Sequence, residues 1–201
     1  MKKIIPGISD SDKARLLELL PLEGSYRPAV DTLERLFLYA NTVMLDKGDT
    51  LIAAGECDAS LYIVIDGLLR CWFWNGDKEE IAFFSTIPTV FLNYNSYYAG
   101  EPSFYCYDAC LPSRIIRIAR NDYDNMLATS HDFTRWMLNL ADFQAYTLEK
   151  KASRDLGSAQ EKYDSLMKGF PEIFNMVPLG MIASYLKITP QYLSKIRGKK
   201  K

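Results

Sequence analysis

Apolar residues along this chain change their period twice, and each change marks a boundary. Residues 10–20 (Asp-Ser-Asp-Lys-Ala-Arg-Leu-Leu-Glu-Leu-Leu) carry a helical pattern that Pro21 stops, and Val30, Leu33, Leu36 and Phe37 repeat it across 29–38. From there to about residue 120 the period is two. Val43 and Leu45 precede Lys47-Gly48-Asp49, Leu51 and Ile52 precede Gly55, Leu61 to Ile65 precedes Asp66-Gly67, Leu68 to Trp74 precedes Asn75-Gly76, and Ile81 to Phe84 follows. Short strands punctuated by turn residues predict an antiparallel sandwich or barrel. Asn75-Gly76 is the sharpest local signal, since a tight type I′ hairpin needs positive φ at both central residues.

Past residue 120 the strands stop. Ser130 can cap a helix running to about Lys151, on which Phe133, Trp136, Leu140, Phe143 and Thr147 recur at spacings of three and four. That stripe suits either packing on the chain's own barrel or a seam between two subunits. Arg154-Asp155-Leu156-Gly157 breaks the pattern as a hinge or helix end, and Ser158-Ala159-Gln160-Glu161 opens a new helix with a capping box that runs to about Gly169-Phe170-Pro171.

The last segment is the most informative. Met181 to Leu186 predicts a short helix, Lys187-Ile188 a turn, and Thr189 through Arg197 a second helix with Thr189 as N-cap and Pro190 at the first helical position, where its missing N–H costs nothing. Ile182, Ala183, Leu186, Ile188, Leu193 and Ile196 would face inward, which is a helix-turn-helix layout. The outward face then offers Gln191 for an adenine edge, Lys195 for guanine acceptors, and Tyr192 and Ser194 for phosphates, with Thr189 at the helix start; Arg197, Lys199 and Lys200 extend the positive field.

Charge strengthens this reading. The formal net charge is only −1, yet residues 150–201 hold 11 Lys and Arg against 4 Asp and Glu, a balance of +7, leaving −8 for residues 1–149. A polyanion partner for the C-terminal end alone fits that asymmetry. With 48% apolar and 24% charged residues the chain can bury a core. Its longest apolar runs are far short of the roughly 20 residues of a membrane span, and no signal-peptide apolar stretch follows the N-terminus, so a cytoplasmic protein without membrane contact is expected. One histidine, His131, cannot furnish a zinc site or a cupin-type metal centre, and it reads as a solvated first-turn residue. Cys57, Cys71, Cys106 and Cys110 lack paired C-x-x-C spacing and read as reduced, mostly buried thiols. No catalytic set, metal or cofactor is expected, and an enzyme is the remote reading.

The order of barrel, long helix and helix-turn-helix resembles the Crp/Fnr family of bacterial transcription regulators over nearly the whole chain. Lys47-Gly48-Asp49, Gly55 and Leu61-Tyr62-Ile63-Val64-Ile65-Asp66-Gly67 resemble the glycine-punctuated signature of cyclic-nucleotide-binding barrels, and Ile182 through Pro190 with Leu193 through Arg197 resembles the DNA-binding end of many members. The resemblance implies a homodimer on double-stranded DNA, with Phe133, Trp136, Leu140 and Phe143 as the dimer seam and a small-molecule effector held in the barrel. It also exposes departures. The Gly-Glu pair and the later Arg that hold ribose and cyclic phosphate in nucleotide-binding members fall at Asn93-Tyr94 and Ser103-Phe104, and Gly100-Glu101 lies too late to replace them. A buried phosphate without its guanidinium loses a strong bidentate contact, so cyclic AMP is not expected.

Aromatic residues crowd that region: Phe91, Tyr94, Tyr97, Tyr98, Phe104, Tyr105 and Tyr107. They either fill the pocket or line one for an apolar or aromatic effector, with Asn93, Tyr94, Ser103, Phe104 and Tyr105 as its candidate residues. Lys187 stands at the turn position where the family commonly has glycine, and the sequence ends four residues after Arg197, which predicts no β-wing. The expected fold is α+β: a jelly-roll sensor barrel over 1–129 with flanking helices, a dimerisation helix over 130–153, and an all-α helix-turn-helix domain over 158–201 without an evident wing. An effector would shift the helix about the hinge from Arg154 to Gly157. A barrel acting as a protein-interaction or ligand-sensing module without DNA binding is the alternative.

Overall fold

The computed structural model describes residues 2–22, 24–85 and 87–198. Its strands are β1 (Lys3–Pro6), β2 (Ala40–Leu45), β3 (Thr50–Ile52), β4 (Leu61–Asp66), β5 (Leu69–Asn75), β6 (Lys78–Phe84), β7 (Thr89–Leu92), β8 (Cys106–Ala109) and β9 (Ser113–Ile118). Its helices are α1 (Asp10–Leu19), α2 (Val30–Phe37), α3 (Arg120–Thr129), α4 (His131–Asp155), α5 (Ala159–Gly169), α6 (Ile173–Met176), α7 (Leu179–Tyr185) and α8 (Pro190–Gly198). One sheet runs β1-β2-β9-β4-β7 and the other β3-β8-β5-β6, with β9 antiparallel to both β2 and β4. The α+β class and the antiparallel barrel are as expected.

The period-two pattern of β4 explains how this sheet is covered. Leu61, Ile63 and Ile65 join a core made with Leu16 and Leu20 of the N-terminal helical segment, Leu33 and Leu36 of α2, Ile116 and Ile118 of β9, and Phe133, Trp136 and Leu140 of α4. Their neighbours Tyr62 and Val64 point the other way, as alternation along a strand requires, and are equally buried. Both faces of β4 are therefore covered, which is why it reads as a continuous apolar run. On the Tyr62 side, Tyr62 stacks on its cross-strand partner Phe91 at 5.4 Å, and Phe91 stacks on Tyr107 of the other sheet at 5.2 Å. Three rings thus bridge the space between the two sheets.

Three local features differ from the sequence expectation. The hairpin between β5 and β6 turns at Gly76-Asp77 rather than Asn75-Gly76: Asn75 ends β5, and Gly76 alone takes positive φ, as suits a turn with glycine at its first central position. Strand β1, four exposed residues ending in proline, adds an edge next to β2 that periodicity could not reveal. Helix α4 continues through Arg154 to Asp155, capped at its start by Ser130, whose Oγ accepts from Phe133 N at 3.2 Å.

Two compact units emerge: Met1–Cys71 with Phe84–Phe143, and Trp72–Phe83 with Gln144–Lys201. The boundary falls inside α4, because its first half carries the bulky residues of the barrel core and its second half carries none that are buried. In the second unit Tyr163, Leu166, Ile173, Val177, Ile182, Ala183, Leu186, Leu193 and Ile196 form the buried interior. The capping box of α5 is present, with Ser158 and Glu161 satisfying each other's backbone N–H groups.

Candidate functional site

The pair α7 and α8 is joined by a turn whose geometry is fully defined. Lys187 N donates to Ser184 O and Ile188 N to Ala183 O, both at 3.0 Å, and Lys187 has φ +55. These two bonds close a Schellman motif, with Lys187 in the left-handed position that glycine usually fills. Helix α8 then starts cleanly: Tyr192 N donates to Thr189 Oγ1 at 3.2 Å, and Pro190 occupies the first helical position.

The burial of α8 divides its residues into two sets. Leu193 and Ile196 are buried, while Gln191, Tyr192, Ser194, Lys195 and Arg197 are exposed, with Tyr192 at 48%. Thr189 is exposed as well, at the start of the helix. The Arg197 guanidinium rests over the Phe174 ring at 5.6 Å, and Phe174 meets Tyr163 edge-on at 5.4 Å, so that arginine leans on an aromatic platform. The predicted DNA contacts Lys199 and Lys200 lie outside the described residues.

Around α7, two sets of contacts hold the turn in place. Ser184 Oγ accepts from Ile81 N and donates to Glu79 O, both at 3.1 Å, joining α7 to the backbone of β6. Arg154 Nη2 donates to Tyr185 Oη at 2.8 Å, and Lys151 and Lys187 both reach Asp155 Oδ2, at 2.8 and 3.1 Å. Burial would raise the Asp155 pKa, but hydrogen bonds from Lys151 and Lys187 outweigh it and hold the carboxyl below the usual range. The segment from Arg154 to Gly157, expected as a hinge or helix end, is tied at its first two residues to the helix-turn-helix.

The candidate effector residues differ in burial. Asn93 and Ser103 are buried but already engaged: Asn93 Nδ2 donates to Ser96 Oγ at 3.0 Å, and Ser103 Oγ donates to Tyr105 O at 2.7 Å. Tyr94 and Phe104 are 46% and 56% exposed, and Tyr105 is half-buried with its ring edge-on to Phe104 at 5.2 Å. Between Asn93 and Ser103 the chain forms a one-turn π-helix, Asn95–Ala99, ended by Gly100 at φ +68, so Gly100 acts as a helix cap. Ser96 Oγ accepts from Asp58 N at 3.3 Å, and the Asp58 carboxylate accepts from Ser60 N and Tyr62 Oη at 2.8 and 2.7 Å. Burial pushes the Asp58 pKa up, but those bonds and Arg117, with Nε 3.7 Å away, bring it below the ordinary value.

The dimer-seam residues need correction. Phe133 and Trp136 are 0% exposed and Leu140 3%, all inside the barrel core, and only Phe143 is open, at 41%. Trp136 Nε1 is buried and, among the described residues, has no hydrogen-bond partner. A second 3–4 stripe lies on another face of α4. Leu138, Ala141, Ala145, Leu148 and Ala152 are all exposed, Leu138 at 61% and Leu148 at 65%. It was missed because three of its members are alanines, a weaker signal than aromatic bulk.

Nothing in the arrangement gathers metal ligands: among the described residues no cluster of three His, Cys, Asp or Glu could hold an ion. The four cysteines are free, with Cys57 alone exposed. No helix described is long and apolar enough to cross a membrane.

A barrel of two antiparallel sheets, a long helix and a helix-turn-helix constitute the Crp/Fnr-type fold. Solved structures share it with this chain. FixK2 from Bradyrhizobium japonicum matches with TM-score 0.69 at 14% identity, over 80% of this chain and 83% of its own. CLP from Xanthomonas campestris, described as a c-di-GMP-responsive global regulator, matches with TM-score 0.69 at 13% identity over 85% and 91%. A CooA mutant from Carboxydothermus hydrogenoformans matches with TM-score 0.63 at 14% identity over 80% and 76%. At the level of sequence, no protein-family profile and no curated relative matches the chain.

Proposed function

We propose that this chain is a DNA-binding transcription regulator of the Crp/Fnr type that acts as a homodimer. The observation that carries the reading is α8: Gln191, Tyr192, Ser194 and Lys195 stand exposed on a helix whose other face is buried at Leu193 and Ile196 and whose start is capped by Thr189. Such a helix can enter the major groove, with Gln191 and Lys195 reading base edges and Tyr192, Ser194 and Arg197 meeting phosphates. Two copies are needed for useful affinity. The stripe Leu138-Ala141-Ala145-Leu148-Ala152 supplies the seam, its alanines allowing two α4 helices to approach closely, and would present two reading helices about one DNA turn, roughly 34 Å, apart.

The barrel reads as a scaffold that does not accept cyclic AMP. The stacked rings of Tyr62, Phe91 and Tyr107 occupy the space between the sheets, and Ser103-Phe104 offers no guanidinium for a buried phosphate.

Titration of the protein against the duplex directly upstream of its own coding sequence, and against unrelated duplex, at several salt concentrations, tests the reading. Specific retention is expected, and Lys195→Glu should abolish it. Equal weak binding to both duplexes would overturn DNA reading and favour the barrel as an interaction module.

A further inference from the structure

Lys187 is a costly residue for its position. Left-handed backbone crowds a Cβ, and glycine would relieve that crowding without loss of the two turn bonds, which use backbone atoms only. What glycine cannot do is reach Asp155. The Lys187 ammonium lies 3.1 Å from Asp155 Oδ2, the same oxygen that takes Lys151 at 2.8 Å. Immediately before Asp155, Arg154 holds the Tyr185 hydroxyl and lies over its ring at 5.4 Å, with Lys151, one turn back along α4, over the same ring at 5.6 Å. The last turn of α4 thus grips α7 at Tyr185 and the turn at Lys187. Only Ile188 and Thr189 separate that turn from Pro190, the first residue of α8, so wherever the turn is fixed the reading helix is fixed with it.

We propose that Lys187 and Asp155 are positioning residues for DNA reading: their ion pair, with Arg154 and Tyr185 beside it, clasps the helix-turn-helix to the C-terminal half of α4, so that the two move as one piece. The lysine is kept in a left-handed position for its charge. This rests on the DNA-binding reading and relocates its mechanics, because the segment from Arg154 to Gly157 then transmits the direction of α4 to α8 instead of acting as a loose joint. The alternative is a lysine that the turn merely tolerates.

Lys187→Gly separates the two, since it improves the backbone fit and removes the charge. In the full chain without DNA, amide exchange over residues 183–193 should quicken in Lys187→Gly and in Asp155→Asn, and return to the parent rate in Lys187→Arg. The parent's protection should fall towards that of the variants as salt is raised, since the Lys187 side chain is half-exposed and its pair is screened. Unchanged protection in Lys187→Gly overturns the clasp.

On the specific duplex, each single variant should bind about two- to fivefold more weakly than the parent, and Asp155→Asn with Lys187→Gly together no more weakly than either alone. Parent-like binding by Lys187→Gly, or losses that multiply in the double variant, overturns the positioning role. A parent that does not discriminate between duplexes, with exchange behaving as expected, sinks the DNA reading and leaves the clasp standing as an anchor of the turn.

Discussion

Trp136 shows how a single residue can be read correctly for size and wrongly for place. Its spacing from Phe133 and Leu140 marks it as part of a buried stripe, and it is buried, but against the chain's own barrel, where it meets Phe133 edge-on at 5.9 Å. Trp136→Ala should therefore destabilise the fold itself by about 3–5 kcal/mol, seen as a lowered midpoint in denaturant, because a large ring leaves a cavity that the packed core cannot close. A variant that unfolds like the parent but changes oligomeric state would contradict the core assignment. Lys187 is the opposite case. Its left-handed conformation was expected from the resemblance, which places a glycine position there, whereas its partner Asp155 stands 32 positions earlier and could be found only in space.

At the scale of elements, caps and turns were the most legible features. Ser130, Ser158 and Thr189 all cap the helices expected of them, because a cap is a contact between residues two or three apart and needs nothing distant. The shift of the β5–β6 turn by one residue to Gly76-Asp77 marks the limit of such reading: both registers satisfy the local rules, and strand pairing chooses. Helix α4 carries two interleaved stripes of identical spacing. The bulky one packs on the barrel, where its rings fill the core, and the small one is left exposed. Leu138→Asp with Leu148→Asp should turn a dimer into a monomer on gel filtration without lowering the thermal midpoint of the barrel. An unchanged elution volume would place the seam elsewhere.

Taken whole, the chain separates an acidic, strand-rich part from a basic, helical one, and its compact units nearly follow that division. The exception is the hairpin Trp72–Phe83, which belongs with the C-terminal helices through the bridge from Ser184 to Glu79 and Ile81. For the barrel as a sensor, calorimetry with cyclic AMP should register no binding heat, since admitting the nucleotide would require opening the Tyr62-Phe91-Tyr107 stack. Micromolar binding would show that the rings yield and that the interior is a ligand site after all.

By itself the sequence determined the change from strands to helices near residue 120, the helix starts at Ser130, Ser158 and Thr189, and the helix-turn-helix with Leu193 and Ile196 inward. All of these depend on period, chain-local hydrogen bonds or residue identity. Only the tertiary structure decided which stripe of α4 is core, that the aromatic residues between 91 and 107 divide into a stacked interior and an exposed rim, and that α7 is held by β6 and by the end of α4. Those outcomes depend on which distant surfaces compete for the same face, and periodicity along one chain is the same whichever surface wins.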